Sequence, residues 1–521
     1  MELSSISIPL ALFAILFALY VHKRVYPRSS VLPLPPGPPQ LPFIGNLHQF
    51  DIKYPHVFFK KVTDKYGPLA CLNVVGQKII IIGSHKVAHE LLDKRSAIYS
   101  DRPPLRMANS ISHGFRMAVM AYSPTLRRHR KVNHEILASV RQGSSEPVQE
   151  METILAVKDI LDSPGDFMSH IHRAMTSTMM ALNYGVRFAD SHSPEMAAFD
   201  KTLAYVENTI AEPTLLDAFS FLEKIPDAIS PWKRHAEEFF KTDMDFYEDI
   251  MSKRENAPRN RFMEAHESWA DKILNLKNLK QLSSGEEETT YLIRQLLEAA
   301  VSTTHSAALW FVFAAVTEPA FQAAAQAELD RVVGRDAMPT FNDRERLPYI
   351  QAIVNEILRW RPPAPMGLPH YCAEEDTFNG MRIPKGSIVI PNSWAMDQDP
   401  TVWDQPQAFL PSRWLCADGT IDDQKSYTCF GYGARVCQGR YVAERTIWIF
   451  VAQMLWAFNI SDPSRPSGST SPKEYVYEAV ATSELLPKPT PFKARFELRD
   501  PSLRAVIDNE KARIDDELSS V

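Results

Sequence analysis

Between Ser84 and about Val332, apolar residues recur at helical spacing, with Pro and Gly at the joints. The longest such stretch runs from about Glu288 to Val316 and stops before Pro319. A rise of about 1.5 Å per residue predicts a helix of roughly 45 Å, enough to cross a whole domain. Further helices are predicted over Leu347–Trp360, ending at Arg361-Pro-Pro363, and over Tyr441–Phe458, which is apolar and aromatic. Alternating patterns are rarer. Leu69–Val74 and Lys78–Ile82 predict a hairpin around Gly76, and short strand-like pieces recur at Gly380–Ile383 and Ser387–Pro391. The pattern predicts a mainly α fold with a small β portion. No later linker breaks it, so residues 46–521 read as one large domain.

The amino terminus follows a different pattern. From Leu3 to Val21 the chain is apolar except for scattered serines, and His22, Lys23, Arg24 and Arg28 follow. A spanning helix needs roughly 20 apolar residues. No Lys or Arg precedes the run and no A-x-A site follows it, so residues 3–21 read as a transmembrane signal anchor rather than a cleaved signal peptide. The basic residues downstream hold the remainder on the cytoplasmic side. Pro33-Leu-Pro-Pro-Gly-Pro-Pro39 completes a basic and proline-rich hinge over residues 22–45.

Composition narrows the function classes. The 521 residues are 45% hydrophobic and 23% charged, which is ordinary globular usage. Lys plus Arg total 57 against 63 Asp plus Glu, and a net charge of −6 asks for no nucleic-acid partner. Five unclustered cysteines fit no disulfide framework or zinc ribbon and imply a reduced compartment.

One segment carries distinctive chemistry. Phe430-Gly-Tyr-Gly433-Ala-Arg435-Val-Cys437-Gln-Gly439 puts a single cysteine in a glycine-flanked loop that opens into a long apolar helix. Backbone N–H groups at a helix N-terminus stabilise negative charge on sulfur. Gly433 and Gly439 permit φ > 0 and a close approach of backbone to a flat cofactor. Arg435 can pair with an acidic substituent of that cofactor. A lone cysteine is equally compatible with a small inert core side chain. The spacing F-x-x-G-x-R-x-C-x-G resembles the haem-thiolate signature of the cytochrome P-450 family, and the likeness extends along nearly the whole chain. It implies the cytochrome P-450 fold, haem b as cofactor and Cys437 as the axial iron ligand. Such a thiolate pushes electron density onto iron and favours O–O cleavage.

The same resemblance assigns further positions. Glu356-x-x-Arg359 alone is a common solvated pair. With Arg413, in Phe409-Leu-Pro411-Ser-Arg413-Trp, it matches a buried structural trio, with Ser412 replacing the usual glutamate. Arg130 and His370 match propionate-contacting positions, although Leu126 replaces the family's tryptophan near Arg130. A surface histidine is the competing reading for His370. Asp101-Arg102-Pro103 and the loop to about Met120 match the variable roof over the substrate. On the central helix the family pattern A/G-G-x-D/E-T-T reads Ala299-Ala300-Val301-Ser302-Thr303-Thr304. Thr303 then helps deliver protons to dioxygen. Ala300 stands where glycine lets the helix open. Ser302 stands where a carboxyl is usual, and serine relays a proton without supplying one. Glu298, five residues before Thr303, falls on another face.

These expectations describe a monooxygenase that oxidises a small lipophilic molecule with dioxygen, similar to fungal members that tailor secondary metabolites. The chain carries no G-x-G-x-x-G, so electrons are expected from an NADPH–cytochrome reductase, docking on basic residues that include Arg435 and Arg440. The expected location is the endoplasmic reticulum membrane, single-pass, with the catalytic domain facing the cytoplasm. Met107–Met120, Ala299–Thr303 and Pro365–Leu368 are the expected pocket walls. Two readings stay open beside this one. The missing acid at Ser302 suits oxidative coupling or ring closure without oxygen insertion. The departures at Leu126, Ala300, Ser302 and Ser412 suit a non-catalytic haem-binding scaffold.

Overall fold

The computed structural model describes residues 32–212, 214–218, 220–256, 266–278, 285–466, 468 and 471–519. The expected anchor at 3–21 and the basic part of the hinge lie outside the described residues. The proline-rich part is not a free spacer. Pro36 O accepts from Cys71 N–H at 2.9 Å and Pro33 O from Arg382 N–H at 2.7 Å. Gly37 lies so close to the strand that a Cβ there would overlap the Cys71 carbonyl.

We number the principal helices α1 Pro55–Tyr66, α2 Pro124–Ala138, α3 Glu146–Asp162, α4 Phe167–Tyr184, α5 Pro194–Ala211 and α6 Pro231–Asn256. They continue as α7 Glu286–Thr317, α8 Phe321–Val332, α9 Pro348–Trp360, α10 Arg440–Ala457 and α11 Leu503–Ser519. Helix α7 begins on Glu286, Glu287 and Glu288, which complement its N-terminal dipole, and stops before Pro319 as its sequence predicts. It is apolar and long enough to cross a membrane, yet 72% of its most apolar window is buried inside the protein. It is a core helix. Helix α10 carries Arg440, Glu444 and Arg445 in its first turns and is then almost wholly apolar, with Ile447–Ala457 buried without a break. The segments Ala307–Val316 and Ile447–Ala457 meet in the largest core cluster.

The β portion lies to one side. Strands β1 (Leu69–Val74) and β2 (Gln77–Ile82) form the expected antiparallel hairpin. Val75 and Gly76 turn it with φ of 49° and 91°, the two positive values that a tight two-residue turn requires. The sheet order is β1-β2-β6-β3, with β3 at His370–Tyr371 and β6 at Ile388–Pro391, parallel to β2. A two-stranded piece joins β4 (Asp376–Phe378) to β5 (Met381–Ile383). The sequence pattern misses β7 (Phe458–Ser461) and its partner β8 (Arg495–Leu498), because they pair across more than thirty residues. It also misses α11, whose buried stripe is only Leu503, Ile507 and Ile514.

Glu356, Arg359 and Arg413 do come together. Glu356 and Arg359 are fully buried, and the guanidinium of Arg359 holds the carboxylate with two 2.8 Å hydrogen bonds. Arg413 Nε at 3.2 Å, Trp414 Nε1 at 2.9 Å and Leu410 N–H at 2.9 Å complete the shell. The carboxylate is saturated without a glutamate at position 412. Removing one partner of a buried ion pair typically costs about 3–5 kcal/mol. Glu356→Ala therefore lowers unfolding free energy by about that much, measured by denaturant titration; a loss under about 1 kcal/mol would contradict the assignment.

Candidate functional site

The cysteine loop closes through Cys437 N–H, which donates to Phe430 O at 2.8 Å. Gly433, at φ 56°, is required for packing: a Cβ there would overlap the Leu92 carbonyl oxygen, while its N–H donates to Asp93 Oδ1 at 2.5 Å. The loop thus sits on residues 89–94, and Gly433 packs directly on that backbone. Gly439 has a φ of −83°, so the positive φ expected there is not adopted. Its N–H hydrogen-bonds the Cys437 sulfur. Burial raises the Cys437 thiol above its ordinary range, opposed by that N–H and by the charges of Arg130 and Arg440. The side chain is nonetheless accessible, unlike Cys71 and Cys372 in the sheet core.

Three guanidinium groups stand together beside this loop. Arg435 donates to the carbonyls of Ser100 (2.7 Å), Met117 (3.3 Å) and Met120 (2.6 Å). Arg102 donates to Ala118 O at 3.0 Å and to Leu368 O and Pro369 O at 2.8 Å each. Arg130 donates to Val436 O at 2.9 Å, one residue from the cysteine. Burial lowers all three, and mutual repulsion adds to this at Arg102 and Arg435; Arg435 falls to about 10. Asp101 is the carboxylate that opposes this at Arg102 and Arg435. The cluster fits a ligand that brings its own carboxylates. Arg102, expected in the substrate roof, belongs here instead. Arg435 is turned inward and takes no part in the docking face expected for it. His370 is buried, with Nδ1 2.8 Å from Tyr99 O, which rules out the surface reading.

On the α2 side, a groove of about 160 Å³ reaches the same cysteine, lined by Arg130, His134, Arg141, Cys437, Arg440 and Tyr441 among others. The guanidiniums of Arg141 and Arg440 lie over the Tyr441 ring at 4.8 and 4.6 Å.

Residues 117–120 connect the loop to α7, since Met117 N–H donates to Gln295 Oε1 at 3.3 Å while Met117 O accepts from Arg435. Along this mostly buried helix, Ala299 is exposed and Ala300, Ser302 and Thr303 are half-buried. Thr303 Oγ donates back to Ala299 O at 2.9 Å. The helix runs through Ala300 without interruption, so the opening that glycine allows is absent. Glu298 is engaged elsewhere. It pairs with Arg116 and, at 2.8 Å, with Arg294, which also pairs with Asp243. Of this buried ionic cluster only Arg116 falls within an expected pocket wall, Met107–Met120. Burial raises the Glu207 carboxyl of α5 above its ordinary range, opposed by the Ser302 hydroxyl. The sequence carries no signal for Arg102 or Glu207 at these places, because both arrive from distant elements.

Residues 35–484 match the family model for cytochrome P-450. The chain belongs to the cytochrome P-450 family. It is 36% identical to the cytochrome P-450 monooxygenase aneD of Aspergillus aculeatus, over 91% of this chain and 90% of that protein. It is 32% identical to the cytochrome P-450 monooxygenase peniB of Penicillium patulum, over 97% and 92%. It is 34% identical to the echilunin cytochrome P-450 monooxygenase of Aspergillus ruber, over 96% and 92%. This P-450 is therefore an oxidoreductase that incorporates molecular oxygen, and its family implies a haem. The accessible thiol and the carboxylate-poor arginine cluster fit that group.

His370 makes acid stability testable. Burial, then the Arg102 charge, pushes it down to about 3 from an ordinary 6.5, and His56 is likewise near 3. Between those values the unfolded chain binds protons that the folded chain refuses, so stability falls as pH drops from 6.5 toward 3. His370→Asn should flatten, without abolishing, that acid limb in unfolding measured against pH.

Proposed function

We propose that this P-450 is held at the endoplasmic reticulum membrane by residues 3–21, with residues 46–521 facing the cytoplasm. It binds haem b through Cys437 and inserts one oxygen atom into a small lipophilic molecule of fungal secondary metabolism. The observation that carries this reading is the accessible Cys437 thiol, capped by Gly439 N–H and flanked by Arg102, Arg130 and Arg435. Bound there, haem would supply the redox chemistry at dioxygen, and its iron charge at the sulfur would favour the thiolate over the thiol.

The chain's own residues do the rest. The three arginines hold the propionates, and neutral His370 fixes the segment beside them through Tyr99 O. Glu356, Arg359 and Arg413 fix the framework under the loop. The small Ala299 and Ala300 side chains leave room above the site, and Thr303 Oγ holds a proton there, returned to Ala299 O at rest. The basic groove of Arg130, His134, Arg141 and Arg440 suits an acidic NADPH-dependent reductase. Charged segments at the anchor's downstream end support the cytoplasmic orientation.

The carbon monoxide difference spectrum of the reduced enzyme should show a strongly red-shifted Soret band that Cys437→Ala abolishes. Turnover under labelled dioxygen should place label in the product; unlabelled product would favour coupling or ring closure. Arg141→Glu with Arg440→Glu should raise the KM for reductase about tenfold at low salt, with less effect at high salt.

A further inference from the structure

The C-terminal end of α7 lines a cavity that the oxidation chemistry does not use. Its volume is about 550 Å³, within the usual range for small-molecule sites. Phe313 and Val316 of α7 line it together with Tyr475, Val480 and Phe492. The rings of Tyr475 and Phe492 each meet Phe313 near a right angle, with centroids 5.1 and 5.3 Å apart. Along α7, Phe313 lies about 15 Å past Thr303, so the cavity is a separate place in the fold and not an arm of the cysteine site. Phe492 also lies beyond residue 484, where the family match ends.

The charges around this cavity do not cancel. Lys473 and Asp462 both line it and pair with each other at 2.7 Å. Asp462 also accepts from Ser464 N–H at 2.8 Å and from Ser464 Oγ at 2.6 Å, so its carboxylate is fully engaged. The other lining cation, Lys493, is exposed and forms no ion pair among the described residues. Beside Tyr475 stands a further cation without a carboxylate. Arg361 is 3% exposed, donates to the Tyr475 hydroxyl at 2.9 Å and to Trp360 O at 2.8 Å, and packs over the Trp360 ring at 3.9 Å. It too forms no ion pair among the described residues. A buried guanidinium met only by neutral acceptors leaves the wall positive.

We propose that this cavity is a second ligand site, and that it takes a small aromatic carboxylate whose ring lies among Phe313, Tyr475 and Phe492 and whose charge meets Lys493. The site goes beyond the monooxygenase reading and involves no electron or proton transfer. Aromatic walls recognise a ring by edge-to-face and offset contacts. A neutral molecule of the same shape leaves Lys493 and the positive wall unanswered, so charge sets the preference.

The probe is 2-naphthoate, followed by its fluorescence on titration into the full-length ferric holoenzyme, with neutral 2-naphthamide as the comparison. Naphthoate should bind saturably without moving the Soret band, and naphthamide about tenfold more weakly. Lys493→Glu, on the surface, should weaken naphthoate about tenfold at low salt and leave naphthamide unchanged. Val480→Trp, which fills the cavity, should abolish both; if that protein fails to fold, Thr490→Trp makes the same obstruction. Equal naphthoate affinity in wild type and Lys493→Glu overturns the proposal, as does naphthamide that binds as tightly as naphthoate. Naphthoate still held by the Val480→Trp protein overturns it as well, because the ligand then sits elsewhere, and so does an absence of saturable binding to wild type. A missing red-shifted carbon monoxide band defeats the monooxygenase reading instead, since none of these outcomes depends on turnover.

Discussion

The architecture around the cysteine depends on one buried carboxylate. Glu356 has no exposed surface, and an unpaired charge there would be prohibitive. It is tolerable because five donors converge on it from α9 and residues 410–414. Arg359 extends the order onward by donating to Asp397 O at 2.8 Å. The Asp397 carboxyl, pushed up to about 7 by burial, in turn accepts from Thr428 Oγ at 2.9 Å. Thr428 opens the cysteine loop. The position of the sulfur is therefore set by a continuous hydrogen-bonded line that starts on α9, far from the cysteine in sequence.

The two faces of the site differ in electrostatic character. On the cysteine side, guanidiniums dominate and are satisfied largely by carbonyl oxygens, a weaker match than carboxylates provide. On the α7 side, positive and negative charges are balanced: Arg116 and Arg294 oppose Glu298 and Asp243, with Asp243 pushed up to about 6. This separation leaves the hydroxyls of Ser302 and Thr303 as neutral intermediaries between a cationic floor and a charge-balanced roof.

What the sequence made legible was local. The cysteine loop, the limits of α7 and α9 and the hairpin at Gly76 follow from spacing within a few residues. Arg413 could be paired with Glu356 because a recognisable segment carries it. Other features arise only through folding. Arg102 reads as part of a variable roof until the 368–369 carbonyls come against it. The Gly433 motif position is legible, but its reason is not: the neighbour that excludes a side chain, Leu92, lies in another part of the chain. Glu298 shows the opposite case, where helical periodicity alone excluded it from the relay and the structure supplied the reason.

The carboxy-terminal segment bears on how this enzyme can be cut and fused. The family match ends at residue 484, which invites truncation there. Yet β8 pairs with β7 from Phe458↔Leu498 to Ser461↔Arg495, and Leu503, Ile507 and Ile514 of α11 belong to the same core as α7 and α10. Asp508 pairs with Lys158 of α3 at 2.9 Å. A recombinant form ending at residue 484 would uncover that core and lose the partner of an edge strand, inviting self-association through the open edge. Tags and fused redox modules belong beyond Ser519.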